Sequence, residues 1–292
     1  MRRFEEYNPV SVALYFASVT GIAMFCLNPI LLVLSLLGSL SLFFLRNGRR
    51  EGRSHLAYLG LFLVLSLVNP LVSHNGVTVL FVINDSPITA EALAYGVAAA
   101  GMVISVLYWF RSFTQIMTAE RLLYLFGKLS PRLALVLSMG LRYVTLFQAQ
   151  ARRVRQTQTA LGLYKEDNIL DHMRGSLRVW SVMVTWALEN GIVTADSMAA
   201  RGYGIGKRSH FSRFTFGRGD WILLVITAFL FMMTCVSAGM GALDVMFYPS
   251  VRMAPRTPVA WVGYASYGIL VLLPIMMEGV VKIKWKSFVS KI

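Results

Sequence analysis

A single arginine lies between small residues at the predicted end of a helix. The stretch from Ser197 to Gly204 reads SMAARGYG, so Arg201 follows Ala200 and precedes Gly202. Glycine in this place favours the left-handed conformation that ends many helices. The guanidinium is planar and has five N–H donors that fit carboxylates and backbone carbonyls. The stretch therefore predicts either a cation that only complements the helix dipole or a narrow tip that enters a groove and donates to a carboxylate or to backbone carbonyls.

The usual motifs of catalysis do not occur in the sequence. It contains no GxxxxGK[ST] phosphate loop, no His-Glu metalloprotease pair, no Gly-x-Ser-x-Gly elbow and no Cys-x-x-Cys pair. Its four histidines lack the spacing of metal ligands, and Cys26 and Cys235 both lie inside apolar runs, where cysteine packs as a small hydrophobic residue. We expect a protein with no catalysis of its own, no cofactor and no metal ion.

Apolar residues occur in long runs along most of the chain. Of its 292 residues, 56% are hydrophobic and 14% are charged, whereas soluble domains carry about 25% charged residues. A helix that crosses a bilayer needs about 20 mostly apolar residues. Six runs meet or approach this length: 10–26, 29–45, 56–72, 91–110, 221–240 and 258–281. The sequence therefore predicts an all-α membrane protein with about six transmembrane helices.

The basic residues predict which ends of these helices face the cytoplasm. With six spans, 26 of the 28 Lys and Arg residues fall on one side of the membrane, and only Arg252 and Arg256 fall on the other. Lysine and arginine accumulate in cytoplasmic loops. We therefore expect both termini and residues 111–218 to be cytoplasmic. The net charge of +14 then reflects membrane topology, and we expect the lipid bilayer rather than nucleic acid as a partner.

The edges of the spans carry few acidic residues and one irregular connection. Asp220 precedes the fifth span and Glu278 lies near the end of the last. Side chains in such positions usually reach the membrane–water interface, so we expect both to be solvated.

Residues 73–90 combine β-branched residues with helix breakers, which predicts a loop with a re-entrant or extended piece.

The long basic segment between the fourth and fifth spans is predicted to be helical. We expect helices at 112–128, at 131–162 and from Asp171 to Arg201. The last two begin apolar and end in a polar or small-residue tip that glycine follows. The chain is thus predicted to have three domains: N-terminal transmembrane helices at 1–110, cytoplasmic helices at 111–218 and C-terminal transmembrane helices at 219–292.

The tip sequence resembles the signature of one transporter family. Ala200-Arg201-Gly202, within the longer stretch MAARGY, is similar to the second Ala-Arg-Gly signature of the transmembrane T component of energy-coupling factor (ECF) transporters. Relatives of that family include the membrane subunit of cobalt and nickel importers. The resemblance extends to the organisation of most of the chain, with terminal spans on both sides of a long basic helical middle.

One signature of the family is altered in this chain. T components usually carry an earlier Ala-Arg-Gly at the tip of the preceding coupling helix. The matching place, 40 residues earlier, reads Ala160-Leu161-Gly162, with leucine where arginine is expected. Three arginines within three turns upstream are candidates to compensate: Arg152, Arg153 and Arg155.

The resemblance implies a scaffold in the cell membrane of a prokaryote, with about six transmembrane helices and a cytoplasmic coupling-helix domain. T components hold two ABC-type ATPases at the tips of their coupling helices, and they hold a small membrane S component, which binds a vitamin or metal ion, against the flanks. The implied ATPase-docking residues are Ala200, Arg201, Gly202, Ala160, Leu161 and Gly162. Candidates for S-component contact are Phe113, Met117, Trp180, Met183 and Trp186, for which packing inside the helical domain is the alternative.

A membrane-embedded enzyme is the alternative function. Such an enzyme would act on anionic lipid through the arginines of residues 111–218. His172 with Asp171, or Glu189, would then supply the chemistry, but solvated residues near helix ends are the simpler explanation for all three.

Overall fold

The computed structural model describes residues 4–47, 52–73, 75–83, 86–163, 169–206, 214–255 and 257–289. The chain is 81% helical, in agreement with the predicted all-α class. Packing divides it into two compact units. Met1–Leu122 and Phe214–Ile292 form the first unit, and Leu123–Arg213 forms the second.

Nine α-helices lie in the described part of the chain, after a 3-10 turn at Phe4–Glu6. In chain order they are α1 (Pro9–Phe25), α2 (Pro29–Asn47), α3 (Gly52–Val72), α4 (Ala90–Ile116), α5 (Ala119–Leu129), α6 (Pro131–Ala160), α7 (Ile169–Ala200), α8 (Arg218–Gly239) and α9 (Pro258–Val289). Each of the six predicted apolar runs forms most of one helix, namely α1 to α4, α8 and α9. Proline opens α1, α2 and α9, where its missing N–H costs little.

Five of these helices are long and apolar enough to cross a membrane. They are α2, α3, α4, α8 and α9, whereas α1 is apolar but has only 17 residues. The chain therefore has the helices of a multi-pass membrane protein.

Two short antiparallel hairpins connect helices of the first unit. β1 (Val79–Ile83) pairs with β2 (Ser86–Thr89) ahead of α4, and β3 (Val245–Met246) pairs with β4 (Arg252–Met253) between α8 and α9. The hydroxyl of Thr89 then accepts from an amide in the first turn of α4. The extended piece predicted within residues 73–90 is confirmed for the part of that segment that the structure describes.

An aromatic cluster forms the centre of the first unit. Trp109 of α4 lies edge-to-face against Tyr15 and Phe16 of α1, with ring centroids 6.2 and 6.0 Å apart. Phe4 packs on Tyr15 at 5.3 Å, and all four side chains are at most 3% exposed. The indole N–H of Trp109 donates to Ser35 Oγ of α2 at 2.9 Å, so its polar atom is satisfied inside the core. The cluster fastens α1, α2 and α4 together.

Asp220 joins the starts of two helices. Its carboxylate accepts from the backbone N–H groups of Asn8 at 2.6 Å and Gly217 at 2.8 Å, which precede α1 and α8. Ser11 Oγ donates to its carbonyl oxygen at 3.1 Å. Asp220 is 1% exposed, so the prediction of a solvated side chain is wrong. The carboxylate instead satisfies donors that helix starts leave unpaired.

A second polar cluster lies around the end of α2. Arg46 pairs there with Glu5 and with Glu278, the latter at 3.4 Å. The side chains of Arg46 and Glu278 are only 13% and 12% exposed. Arg121 of α5 donates to the carbonyl oxygen of Glu5 and lies 6.0 Å from the centre of the Phe214 ring, and burial lowers the pKa of this guanidinium. Glu278 is therefore paired inside the protein and not solvated as predicted.

The predicted helix at 112–128 is wrong in its bounds. α4 continues to Ile116, and Met117 then leaves the helical conformation with φ −88° and ψ 84°. α5 begins at Ala119, and its first amide bonds go to the carbonyl of Thr118 at 3.0 Å. Met117 is 3% exposed and packs in the core of the first unit. The break therefore coincides with a tertiary contact that helical periodicity does not reveal.

Asp220→Asn is expected to destabilise the first unit by about 1–3 kcal/mol, because one buried backbone donor loses its charged acceptor. Thermal unfolding of the detergent-solubilised protein, followed by size exclusion, measures the change. Asp171→Asn is the matched control, since the side chain of Asp171 is 42% exposed and meets Arg174 only at 3.9 Å, and ion pairs near the surface contribute about 0–1 kcal/mol. Equal melting temperatures for the two variants would contradict the capping role.

Candidate functional site

The two long helices of the second unit form an antiparallel hairpin. The Tyr143 hydroxyl of α6 lies 2.8 Å from Thr194 Oγ1 of α7, and the rings of Phe147 and Trp186 meet edge-to-face at 5.5 Å. Later residues of α6 thus contact earlier residues of α7. Because the helices run in opposite directions, their C-terminal tips lie at opposite ends of the hairpin.

The contact between Phe147 and Trp186 lies midway between the two tips. Ala160 ends α6 13 residues beyond Phe147, and Ala200 ends α7 14 residues beyond Trp186. At 1.5 Å per residue, each tip lies about 20 Å along its helix from the crossing. The hairpin therefore has two arms of nearly equal reach.

α7 ends in a glycine cap around Arg201. Gly202 has a φ of 78°, and the amides of Gly202 and Tyr203 bond back to the carbonyls of Ala199 and Met198, both at 3.0 Å. This is the Schellman arrangement, in which a left-handed residue turns the chain away from the helix. Arg201 is the last residue before the turn. Its guanidinium is exposed and makes no hydrogen bond or ion pair with the described residues.

α6 ends in the same way around Leu161. Gly162 has a φ of 70°, and the amides of Gly162 and Leu163 bond to carbonyls three and five residues earlier at 3.0 and 2.9 Å. Leu161 therefore occupies the position that Arg201 occupies in the other cap, and it is 67% exposed. The six predicted docking residues thus form two tips of one backbone geometry: Ala160, Leu161, Gly162 and Ala200, Arg201, Gly202.

The glycine cap alone does not distinguish these tips. α8 ends in the same pattern, with Gly241 at a φ of 71° and its amide bonded to the carbonyl of Ala238 at 2.9 Å. The residue in the position of Arg201 is there Met240. The distinguishing feature of the α7 tip is therefore its exposed cation between alanine and glycine.

Arg178 of α7 brings a cation to the α6 tip. Its Nη1 donates to the carbonyl oxygen of Leu163 at 3.2 Å, and the residue is exposed. The sequence alone does not reveal this placement, because only the hairpin brings Arg178 to the tip. The three arginines that the sequence offered as compensating residues lie farther from the tip along α6. The nearest of them, Arg155, precedes Leu161 by about 9 Å along the helix. The other two are Arg152 and Arg153.

An open apolar groove lies between α6 and α7. Its volume is about 390 Å³, and it is lined by Phe147, Gln148, Ala151, Trp180, Met183, Val184 and Ala187. Trp180 is 68% exposed and Met183 is half-buried, so two of the predicted S-component contacts lie together here. The third, Trp186, packs on Phe147. None of the lining side chains ionises, so the groove offers an apolar contact surface.

The two remaining S-component candidates belong to the first unit. Met117 is 3% exposed, and Phe113 packs against Phe16 with ring centroids 5.5 Å apart. Both side chains contribute to the core of that unit. The contacts observed for these two residues are therefore packing contacts inside the protein, which was the alternative to contact with an S component.

The hairpin buries almost no side chain of its own. Among the described residues of the second unit, only Gln158 and Gly175 are buried. Large apolar side chains are instead exposed along both helices, among them Val136 (64%), Leu188 (65%) and Ile192 (64%). Exposed apolar surface of this extent marks contact with protein or membrane. The hairpin therefore needs a covering partner or lipid.

The residues considered for a lipid-modifying enzyme do not line the groove. Asp171 meets Arg174 at 3.9 Å, and His172 and Glu189 are exposed on α7. In the part of the chain that the structure describes, no three His, Cys, Asp or Glu side chains lie close enough together to hold a metal ion.

Comparison with known proteins adds no family to these observations. No model of a known protein family matches the chain, and no curated protein matches it significantly. The resemblance to ECF T components therefore rests on the tip sequence and on the organisation of the chain.

Gly202→Ala is expected to loosen the α7 tip by roughly 1–2 kcal/mol, because an alanine in the left-handed conformation costs about that much. Hydrogen exchange of the Tyr203 amide, which bonds across the cap, measures the loosening. Gly191→Ala is the control within the same helix, since no atom lies within 4 Å of the added Cβ. Faster exchange at Tyr203 is expected only for Gly202→Ala, and unchanged exchange there would rule out the cap.

Proposed function

We propose that this protein is the transmembrane coupling subunit of an ECF-type ABC importer. It links two cytoplasmic ABC-type ATPases to a membrane S component that binds a vitamin or a metal ion, and it has no catalysis of its own. The observation that carries the proposal is the pair of matching helix tips, one of which bears the Ala-Arg-Gly sequence. The protein belongs, on this proposal, to the cell membrane of a prokaryote.

Each tip serves one ATPase subunit. Two ATPases need two equivalent docking elements held apart, and the hairpin carries caps of one geometry about 20 Å to either side of its crossing. Arg201, flanked by Ala200 and Gly202, enters a narrow acidic groove. Its planar guanidinium donates hydrogen bonds to carboxylates there. Leu161 enters the matching groove of the second subunit.

The apolar surface of the hairpin receives the S component. Met183 and Trp180 offer an adaptable surface that suits an exchangeable partner, and Trp186 supports the crossing beside them. Covering this surface removes apolar area from water, which is the dominant favourable term in most associations. ATP-driven closure of the two ATPases moves the tips, and the hairpin transmits this movement to the S component, which topples to release its cargo.

Six spans and cytoplasmic termini complete the proposed topology. α1 is the sixth span, because 17 residues give about 26 Å of helix, close to the hydrocarbon thickness of about 30 Å. An even number of spans puts both termini on one side with residues 111–218. That side carries 26 of the 28 basic residues, and basic loops remain cytoplasmic.

Cysteine labelling of intact cells tests this topology. In a background with Cys26 and Cys235 replaced by alanine, Ser250→Cys should react with a membrane-impermeant maleimide, whereas Leu163→Cys and Ile205→Cys should not, because basic segments stay inside. All three should react after permeabilisation, which controls for accessibility. Labelling of position 163 or 205 from outside would overturn the topology.

Arg201→Glu should abolish ATPase association while the amount of protein in the membrane stays unchanged. The reversed charge faces the acidic groove, and the loss of a buried charge partner costs roughly 2–5 kcal/mol of binding. An exposed substitution changes folding stability by only about 0.5 kcal/mol. Co-purification of the ATPases and uptake of cargo by cells, measured beside membrane expression, test the prediction.

Two variants serve as controls for this experiment. Met240→Glu places an acid in the same kind of cap at the end of α8, so it reports any general cost of an acid at a helix C-terminus. Leu161→Glu should be milder than Arg201→Glu, because it removes no cation. Wild-type ATPase recovery and uptake with Arg201→Glu would reduce Arg201 to a residue that complements the helix dipole.

A further inference from the structure

We infer that Arg178 is the docking cation of the α6 tip and takes there the role that Arg201 takes at the α7 tip. The inference rests on the proposed function. It adds to the first ATPase contact a residue that lies outside the Ala-Arg-Gly pattern and on the neighbouring helix. The partner surface that fits is acidic at both tips.

The two caps can be compared residue by residue. Leu161 and Arg201 each precede a glycine with positive φ, 70° at Gly162 and 78° at Gly202. Leu161 is 67% exposed, but its side chain has no donor for a carboxylate. Two related ATPases that receive both tips through the same chemistry need a cation at each. At the α6 tip this cation must come from another residue.

Arg178 brings a guanidinium to that place. Its Nη1 donates to the carbonyl oxygen of Leu163 at 3.2 Å, one residue past the glycine of the cap. A guanidinium has five N–H donors, so this bond holds the group at the tip and uses one of them. The side chain makes no other hydrogen bond or ion pair with the described residues, and the residue is exposed.

The end of α6 favours a cation in this position. Carbonyls at a helix C-terminus lack donors within the helix and form the negative end of its dipole. Other arginines nearby do not share this placement. Arg174, one turn before Arg178, meets Asp171 at 3.9 Å, and Arg155 has a partner of its own about 9 Å before Leu161 along α6.

Charge removal at matched positions tests the inference. The full chain is co-expressed with the ABC-type ATPase subunits of its own organism, and the ratio of ATPase to chain is measured after purification in mild detergent. Arg178→Leu should weaken ATPase binding about 30-fold or more, as the loss of one desolvated charge contact does. Arg174→Leu removes the same charge from the same helix one turn earlier, and it should leave the ratio unchanged.

Moving the cation separates docking from a structural role. Leu161→Arg restores a guanidinium at the tip itself, so the combination of Arg178→Leu with Leu161→Arg should recover ATPase binding to near the wild-type ratio. A lost bond to the Leu163 carbonyl would not be restored by this change. Thermal unfolding of the purified chain reports the structural contribution, and we expect equal melting temperatures for Arg178→Leu and Arg174→Leu.

The outcomes distinguish the inference from the proposed function. If the wild-type chain retains none of the co-expressed ATPases, the proposed function fails and the inference fails with it. If Arg201→Glu loses the ATPases but Arg178→Leu keeps them, the proposed function stands and the inference is wrong. A loss with Arg178→Leu that Leu161→Arg does not restore also overturns the inference, since Arg178 then acts only on the fold.

Discussion

The structure depends on pairing the backbone N–H and C=O groups that helices leave without partners at their ends. Inside a membrane or a protein core, each such N–H or C=O group needs an internal partner. Asp220 supplies acceptors ahead of α1 and α8, while Gly162 and Gly202 turn the chain so that amides reach the last carbonyls of α6 and α7. Arg178 satisfies one further carbonyl beyond α6. The proposed docking residues belong to this set because the groups that close a projecting helix end are also exposed there.

The two units meet the requirement for apolar burial in different ways. The first packs aromatic side chains around Trp109 and pairs its inner charges, as Arg46 does with Glu278. The second buries only Gln158 and Gly175 among its described residues. Most helical stability in proteins comes from tertiary packing of an apolar face, so a helix pair with so little packing depends on the protein or lipid that covers it. This dependence is the property expected of the proposed coupling subunit, which works only within an assembly.

The sequence predicted the local elements of the fold better than it predicted the long-range contacts. Run length and hydropathy were sufficient for the six apolar helices, and glycine was sufficient for the ends of α6 and α7, because both signals are local. The burial of Asp220 and Glu278 was not predictable, since their partners Asn8 and Arg46 lie 212 and 232 residues away in the chain. The position of Arg178 at the α6 tip depends on the antiparallel pairing of two helices, which hydrophobic periodicity does not specify.

Sparse packing at the crossing also suits the proposed coupling. The contacts that join α6 to α7 include Tyr143 with Thr194 and Phe147 with Trp186, and the apolar groove opens beside the second of them. With arms of about 20 Å, a rotation of about 10° at the crossing moves a tip by roughly 3–4 Å. The converse also holds, because partners that hold both tips set the crossing angle and with it the width of the groove. A densely packed pair would resist such rotation, since well-packed interfaces deform little. The sparse packing that leaves the hairpin open to partners would thus also allow the proposed partners to control its shape.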